Sequence, residues 1–230
     1  MKKIKLTISI AILLITISSF KAQKLKTFGS SISKVVAGKT IRTPYTQIIS
    51  YLGYAEPGSE DEIVNGKKFS YIYLWVPAIA PEIGVRMMSP VGETKISKKA
   101  IKAKNYDNNS SSKEYFDTYI TLERSSIRSK DDINAENVKS TSWTTLARND
   151  DSGEMPTQPS GSNYNSLLRH KSVASDPKKA LTVGLYRIGF TTYKVGEVKG
   201  TFIAEVGAPI KLPGSAIAKT IDELIELLNK

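Results

Sequence analysis

The 230-residue sequence contains no cysteine and only one histidine, and these absences remove several classes of function. Without cysteine there is no disulfide, no thiolate nucleophile, no sulfur-ligated zinc and no lipid-modified cysteine. His170 lies in LLRHK, without a second histidine to form a metal-binding pair and without a G-x-S-x-G nucleophile elbow. We therefore expect His170 to be a surface residue and the protein not to be an enzyme.

Two further functions are disfavoured by geometry and composition. Asp117 and Glu123 share one face of a predicted strand, but six residues of strand separate their Cα atoms by about 20 Å, too far for a glycosidase pair. The densest basic run, ISKKAIKAK at 96–104, has no interleaved aromatic residues and accompanies no nucleic-acid motif. We interpret it as a solvated loop or short helix face, and we expect no nucleic-acid partner.

No apolar run is long enough to span a membrane. The run from Leu6 to Ile17 is shorter than the roughly 20 residues required and follows three lysines, which is typical of a secretory signal peptide. We predict a signal peptide at 1–22 and a single domain at 23–230. Removal of the four lysines in the signal peptide would lower the formal charge from +11 to +7. The predicted location is the cell surface, the outer membrane or the extracellular space, with no cysteine-linked lipid, and the basic charge favours anionic partners.

Strand-like runs dominate the remaining sequence. They are rich in β-branched and aromatic residues and are bounded by turn formers. The runs are 45–55, 69–79, 83–90, 115–125, 181–193 and 198–208. In the fourth run, Phe116, Thr118, Ile120 and Leu122 alternate with polar residues. The KVGE segment between the last two runs predicts a hairpin.

Only the C-terminus has a helical period. An apolar stripe recurs there at spacings of three and four, formed by Ile217, Ile221, Leu224, Ile225 and Leu228. Many strands with almost no helix between them predict an all-β fold. We expect an antiparallel, jelly-roll-like β-sandwich with a short C-terminal helix.

Three long polar loops interrupt this pattern, at 105–113, 129–140 and 149–163. The third begins NDDSG, which places two like charges side by side in a basic chain. Aspartate beside glycine is common in solvated turns, so the doublet taken alone favours an ordinary wet turn. A cation held between the carboxylates is the alternative.

Several long motifs resemble one known family. GYAEPG, YIYLWVPAIAPEIGVRMMSPVGE, EYFDTYITLERSS, YNSLLR and GLYRIGFTTYKVGEVKGTFIAEVG occur in order between about Tyr45 and Gly207. They are similar to the major outer-membrane surface lipoprotein of pathogenic spirochaetes. The resemblance implies a jelly-roll sandwich that binds Ca²⁺ through an acidic loop and acts as an adhesin for extracellular-matrix macromolecules.

The resemblance also implies a set of calcium ligands. They are Asp117 and Thr118 from FDT, Asp150 and Asp151 from NDDSG, and the Tyr164 backbone carbonyl. Calcium takes six to eight hard oxygens, so a strand and a loop must both contribute. The sequence departs from the family in lacking the lipidated cysteine and in having a poorer acidic loop, in which Glu154 is the only further acid.

Two other functions are compatible with the sequence. The first is a carbohydrate-binding module that uses the aromatic residues Tyr51, Tyr54, Tyr71, Tyr73 and Trp75, although packing of these rings in the core is favoured. The second is a structural envelope protein without a soluble ligand. A homodimer is also left open.

Overall fold

The computed structural model describes Leu25 and residues 28–230. The predicted signal peptide at 1–22 lies outside the described residues, and the division into signal peptide and single domain stays a prediction. The strands are β1 (Gly29–Val36), β2 (Lys39–Pro44), β3 (Gln47–Ala55), β4 (Glu62–Val64), β5 (Lys67–Val76), β6 (Glu82–Met88), β7 (Ile101–Lys102), β8 (Tyr119–Ser125), β9 (Trp143–Asn149), β10 (Ser166–Lys171), β11 (Gly184–Thr191), β12 (Gly200–Ala208) and β13 (Ala216–Ala218). The α-helices are α1 (Tyr106–Asn109), α2 (Ala135–Ser140) and α3 (Ile221–Leu228), and a 3₁₀ turn spans Lys130–Asp132.

Two sheets face each other across the core. One has the order β10-β6-β12-β3-β7, and the other has the order β13-β5-β11-β8-β9 with β4 paired to β5. All pairings are antiparallel except β3 with β7. Strands β1 and β2 form a separate two-stranded sheet. The predicted all-β sandwich is therefore confirmed.

Alternate residues of both sheets form the main core. Ile72 and Leu74 of β5 belong to the same buried cluster as Ala204 and Val206 of β12. Successive residues of a strand point to opposite faces, and β12 is buried along its whole length because Ile203 on its other face joins a second apolar cluster. The inward face predicted for 115–125 is confirmed, since Phe116, Thr118, Ile120 and Leu122 are all buried. The opposite face is not fully solvated, because Thr121 and Glu123 are buried too.

The hairpin predicted at KVGE is wrong. Strand β11 pairs with β5 and β8, whereas β12 pairs with β3 and β6 in the opposite sheet. Phe190 of β11 and Phe202 of β12 face each other, with ring centroids 4.8 Å apart. Both strands direct their apolar faces into the core, so they pack across the sandwich and the connecting segment crosses between the sheets.

The C-terminal helix is confirmed but begins later than the apolar stripe suggested. Thr220 caps it by accepting a hydrogen bond from the Glu223 amide at 3.2 Å. Ile217 does not belong to the helix, because it pairs with Leu74 as part of β13 and is fully buried. No helix among the described residues is long and apolar enough to cross a membrane.

Two local predictions also need correction. His170 is buried in β10, where its Nε2 lies 2.8 Å from the Lys179 carbonyl oxygen, so it is not a surface residue. The basic run 96–104 is not wholly a loop or helix face, because β7 adds Ile101 to the edge of a sheet. In both cases contacts with distant residues decide the local structure.

Candidate functional site

Three strand ends meet where the two sheets adjoin. Strand β9 is the edge of one sheet and β10 is the edge of the other. The predicted site residues lie just outside these strands: Asp117 and Thr118 precede β8, Asp150 and Asp151 follow β9, and Tyr164 precedes β10. Because Ile120 of β8 pairs with Asn149 of β9, continuing this antiparallel register brings residues 150–151 alongside residues 118–119. The fold therefore places all five predicted residues at one seam.

Hydrogen bonds fasten this seam together. The Tyr164 carbonyl oxygen accepts from the Thr118 amide at 2.9 Å, and the Thr118 hydroxyl lies 3.1 Å from the same oxygen. The Ser166 hydroxyl donates to the Asp150 carbonyl at 2.8 Å, and the Ser166 amide donates to the Thr118 hydroxyl at 2.8 Å. Thr118 is fully buried, so its hydroxyl is engaged in structural bonds.

Asp117 differs from Thr118 because one of its carboxylate oxygens has no hydrogen-bond partner among the described residues. Its Oδ1 is buried and makes no hydrogen bond to any described residue. Burial, followed by the negative charges of Asp151 and Asp150, raises the pKa of Asp117 to about 6, against the opposing charge of Lys67. A buried oxygen without a partner is unfavourable, so this position attracts a proton or a cation.

The aspartate doublet lies beside Asp117 and is closer to solvent. Burial and the charge of Asp150 raise the pKa of Asp151, and the Asp151 amide donates to Asp150 Oδ1 at 3.0 Å. Across the described part of the chain, no three His, Cys, Asp or Glu side chains converge tightly enough to hold an ion as they stand. A cation shell at this seam requires the doublet to close toward Asp117.

The Glu154 carboxylate is paired with two arginines and is therefore not available as a cation ligand at the seam. Its carboxylate receives two hydrogen bonds from Arg169, both at 3.0 Å, and also pairs with Arg42. The Arg169 hydrogen bond is the main cause that lowers the pKa of Glu154. Glu154 therefore anchors its loop to β10 and β2.

Sequence reasoning missed two residues that shape this site. Gln158 is buried, and its amide nitrogen donates to the carbonyls of Ser89 at 2.8 Å and Phe116 at 2.7 Å. Lys67 donates to the Tyr193 carbonyl, with its ammonium 4.9 Å from the Tyr119 ring centroid. Neither stands out in the sequence, because a glutamine in a polar loop and a lysine after a turn are both ordinary.

The aromatic residues of β5 do not form an open platform. Trp75 is buried in a cluster with Leu224 of α3. Tyr71 is buried beneath the Arg187 guanidinium, whose carbon lies 3.7 Å from the ring centroid, and its hydroxyl donates to Glu62 at 2.7 Å. The exposed tyrosines lie instead near the seam, at Tyr115, Tyr164 and Tyr193.

Comparison with known families gives one match of broad extent. A family model described as a surface lipoprotein of the Spirochaetales order matches residues 39–217. The matched range includes every residue of the seam described above. No curated protein matches the chain.

Proposed function

The chain belongs to the surface lipoproteins of the Spirochaetales order and is an exported surface protein, and from this premise we propose that its seam binds calcium and orders a surface for extracellular macromolecules. The observation that carries the proposal is Asp117, whose buried Oδ1 has no hydrogen-bond partner in the described part of the chain and lies beside two further aspartates. These are hard oxygen donors of the type that calcium prefers.

The remaining oxygens suit the same ion. Asp117, Asp150 and Asp151 would supply the negative charge, and the Tyr164 carbonyl would supply a neutral oxygen. The hydroxyl of Thr118 would hold Tyr164 in place by the hydrogen bond already present. Bound calcium would neutralise the carboxylate charges and would fix the segment 150–164 against β8. It would take part in no reaction.

The binding surface is supported by exposed aromatic residues at the same end of the sandwich. Tyr115 lies two residues before Asp117, Tyr164 lies at the seam, and Tyr193 contacts Lys67. Exposed tyrosines are enriched in protein interfaces and also stack on sugars. We favour a matrix macromolecule as the partner, with a glycan as the second candidate.

Calcium binding is tested by titration calorimetry and by thermal melting in calcium, magnesium or a chelator. An extracellular site of this type binds with Kd of about 10⁻⁴ to 10⁻³ M. Calcium at about 100 times Kd would stabilise the folded state by about 2.7 kcal/mol. The double variant Asp150→Asn/Asp151→Asn should lose this response. The matched control is Asp131→Asn/Asp132→Asn, a second exposed aspartate doublet, which should keep it.

Absence of any calcium response in the unaltered protein would refute the site, and equal loss in both double variants would show a nonspecific charge effect. Partner class is tested separately with a matrix-protein panel and a glycan array, each with and without calcium. Binding to matrix protein supports the proposal, whereas binding to glycans alone favours the carbohydrate module. Blank results in both assays would favour a structural envelope protein.

A further inference from the structure

The two-stranded sheet β1–β2 projects from the body of the protein. Every residue from Ile32 to Arg42 is exposed, on both faces and at both edges. An isolated two-stranded hairpin is marginally stable in water, so an exposed one needs a firm base. We propose that the tip of this hairpin docks the protein onto an anionic lipid surface.

The base of the hairpin is built from buried polar contacts. Glu82 is fully buried and accepts a hydrogen bond from the Ser31 amide at 3.0 Å and one from the Tyr45 hydroxyl at 2.6 Å. Arg169 donates to the Gly29 carbonyl at 2.8 Å. The body therefore holds the entry to β1 rigidly, while the distal half of the hairpin is exposed.

The tip is apolar and is bracketed by lysines. Its sequence is KVVAGK, in which Val35 is 72% exposed and Val36 is 54% exposed. In the antiparallel register Val36 lies opposite Lys39, and Lys34 lies opposite Ile41, which is also exposed. Lys34 and Lys39 make no ion pair with any described residue. Each lysine can therefore direct its charge outward beside an apolar side chain.

The turn has an unusual residue choice that keeps the tip free of polar side chains. Ala37 has φ of 48° and Gly38 has φ of 74°, so both adopt the left-handed conformation of a tight hairpin turn. Asparagine, aspartate or glycine normally occupies such positions, and alanine is strained there. Local conformational preference therefore does not explain this alanine, whereas insertion of the tip into an apolar layer does.

The dimensions and charges match a lipid interface. Lys34 lies two residue steps from Val36 along β1, which is about 7 Å, and interfacial segments bury their apolar part by about 5–10 Å. Lys34 would therefore lie near the lipid phosphates, and Lys39, which pairs with Val36, would reach them by extending its long side chain. A second copy of this hairpin is a poor occupant, because it would bring lysines of the same charge together. The tip also has no aromatic or arginine residue of the kind that anchors protein interfaces.

The test is flotation of the purified protein with phosphatidylcholine vesicles, with and without phosphatidylglycerol, in the presence of a chelator. We expect binding to the anionic vesicles only, and weaker binding at high salt because the lysine contribution is screened. Val35→Asp/Val36→Asp should abolish binding without lowering Tm, since both side chains are exposed. Lys34→Gln and Lys39→Gln should each weaken binding roughly 5-fold, as expected for one lysine near an anionic surface.

A matched control is available elsewhere on the surface. Val195 is 70% exposed, nearly the same as Val35, and lies in the loop between β11 and β12. Val195→Asp should bind vesicles like the unaltered protein. In addition, Val36→Trp should show a blue-shifted emission with anionic vesicles, whereas Val195→Trp should not.

Three results would overturn the proposal. The first is no binding to anionic vesicles at low salt. The second is equal binding by the unaltered protein and the Val35→Asp/Val36→Asp variant. The third is that the unaltered protein self-associates, and that the Val35→Asp/Val36→Asp variant is monomeric but binds vesicles as the unaltered protein does. Because the assay contains a chelator, its outcome does not depend on the calcium site.

Discussion

Replacing Asp117 by asparagine should stabilise the calcium-free protein at neutral pH, even though it removes a proposed calcium ligand. Burial and the neighbouring aspartates raise the pKa of Asp117 to about 6 in the folded state, while an aspartate in the unfolded chain has a pKa of about 3.9. The folded state therefore binds this proton more tightly. Folding stability falls as the pH rises from about 4 to about 6, and the full penalty remains at neutral pH.

The size of the effect follows from the pKa shift. A shift of about two units corresponds to about 3 kcal/mol, and screening of this partly buried carboxyl reduces that to about 2 kcal/mol. For a chain of this size, 1 kcal/mol moves Tm by about 2–4 °C. In chelator at about pH 7.5, Asp117→Asn should therefore melt about 4–8 °C above the unaltered protein, and the difference should vanish near pH 4.

Calcium should remove the higher stability of Asp117→Asn relative to the unaltered protein. Only the unaltered protein retains the Asp117 carboxylate, so only it should gain the about 2.7 kcal/mol expected at 100 times Kd. The assay is thermal melting at several pH values, in chelator and in calcium, with the exposed Asp131→Asn as control. The reasoning is refuted if Asp117→Asn is no more stable in chelator at neutral pH, or if its Tm difference does not change with pH.

Two further substitutions test the packing at the base of the hairpin and the support of the seam. Gly84→Ala would place a Cβ atom 2.3 Å from the Tyr45 hydroxyl oxygen. It should lower the free energy of unfolding, measured by urea denaturation, by about 1–3 kcal/mol. Gly153→Ala has nothing within 4 Å of its Cβ position and should be nearly neutral, so equal effects would contradict the packing described for Tyr45. Gln158→Leu would strip the buried carbonyls of Ser89 and Phe116 of their donor and should cost about 2–4 kcal/mol. It should also expose the segment 150–163 to protease, which the exposed Asn163→Leu should not do.

The fold was predictable because its signals are local and periodic. Alternation in 115–125 identified β8, and the spacing of Leu224, Ile225 and Leu228 identified α3. The pairing of β11 and β12 was not predictable, because KVGE forms an acceptable turn in either arrangement. What decides it is the contact between Phe190 and Phe202 across the core, a long-range packing preference that no short window contains.

The candidate site was likewise predictable only in part. The register between β8 and β9 explains why Asp150 and Asp151 lie beside Asp117, and motif positions alone were enough to nominate all three. The sequence could not show that the Thr118 hydroxyl is buried in structural bonds. Nor could it show that Glu154 is paired with Arg169, since that pairing depends on where the loop folds back onto β10.

The most direct test of the account is a crystal structure of the protein grown in calcium. The account predicts an ion bound to the Asp117 carboxylate, with at least one carboxylate of Asp150 or Asp151 also in contact, at oxygen distances of about 2.3–2.6 Å. Segment 150–164 should then lie closed against β8. An ion-free seam at saturating calcium, or calcium bound only at carboxylates elsewhere on the surface, would contradict it.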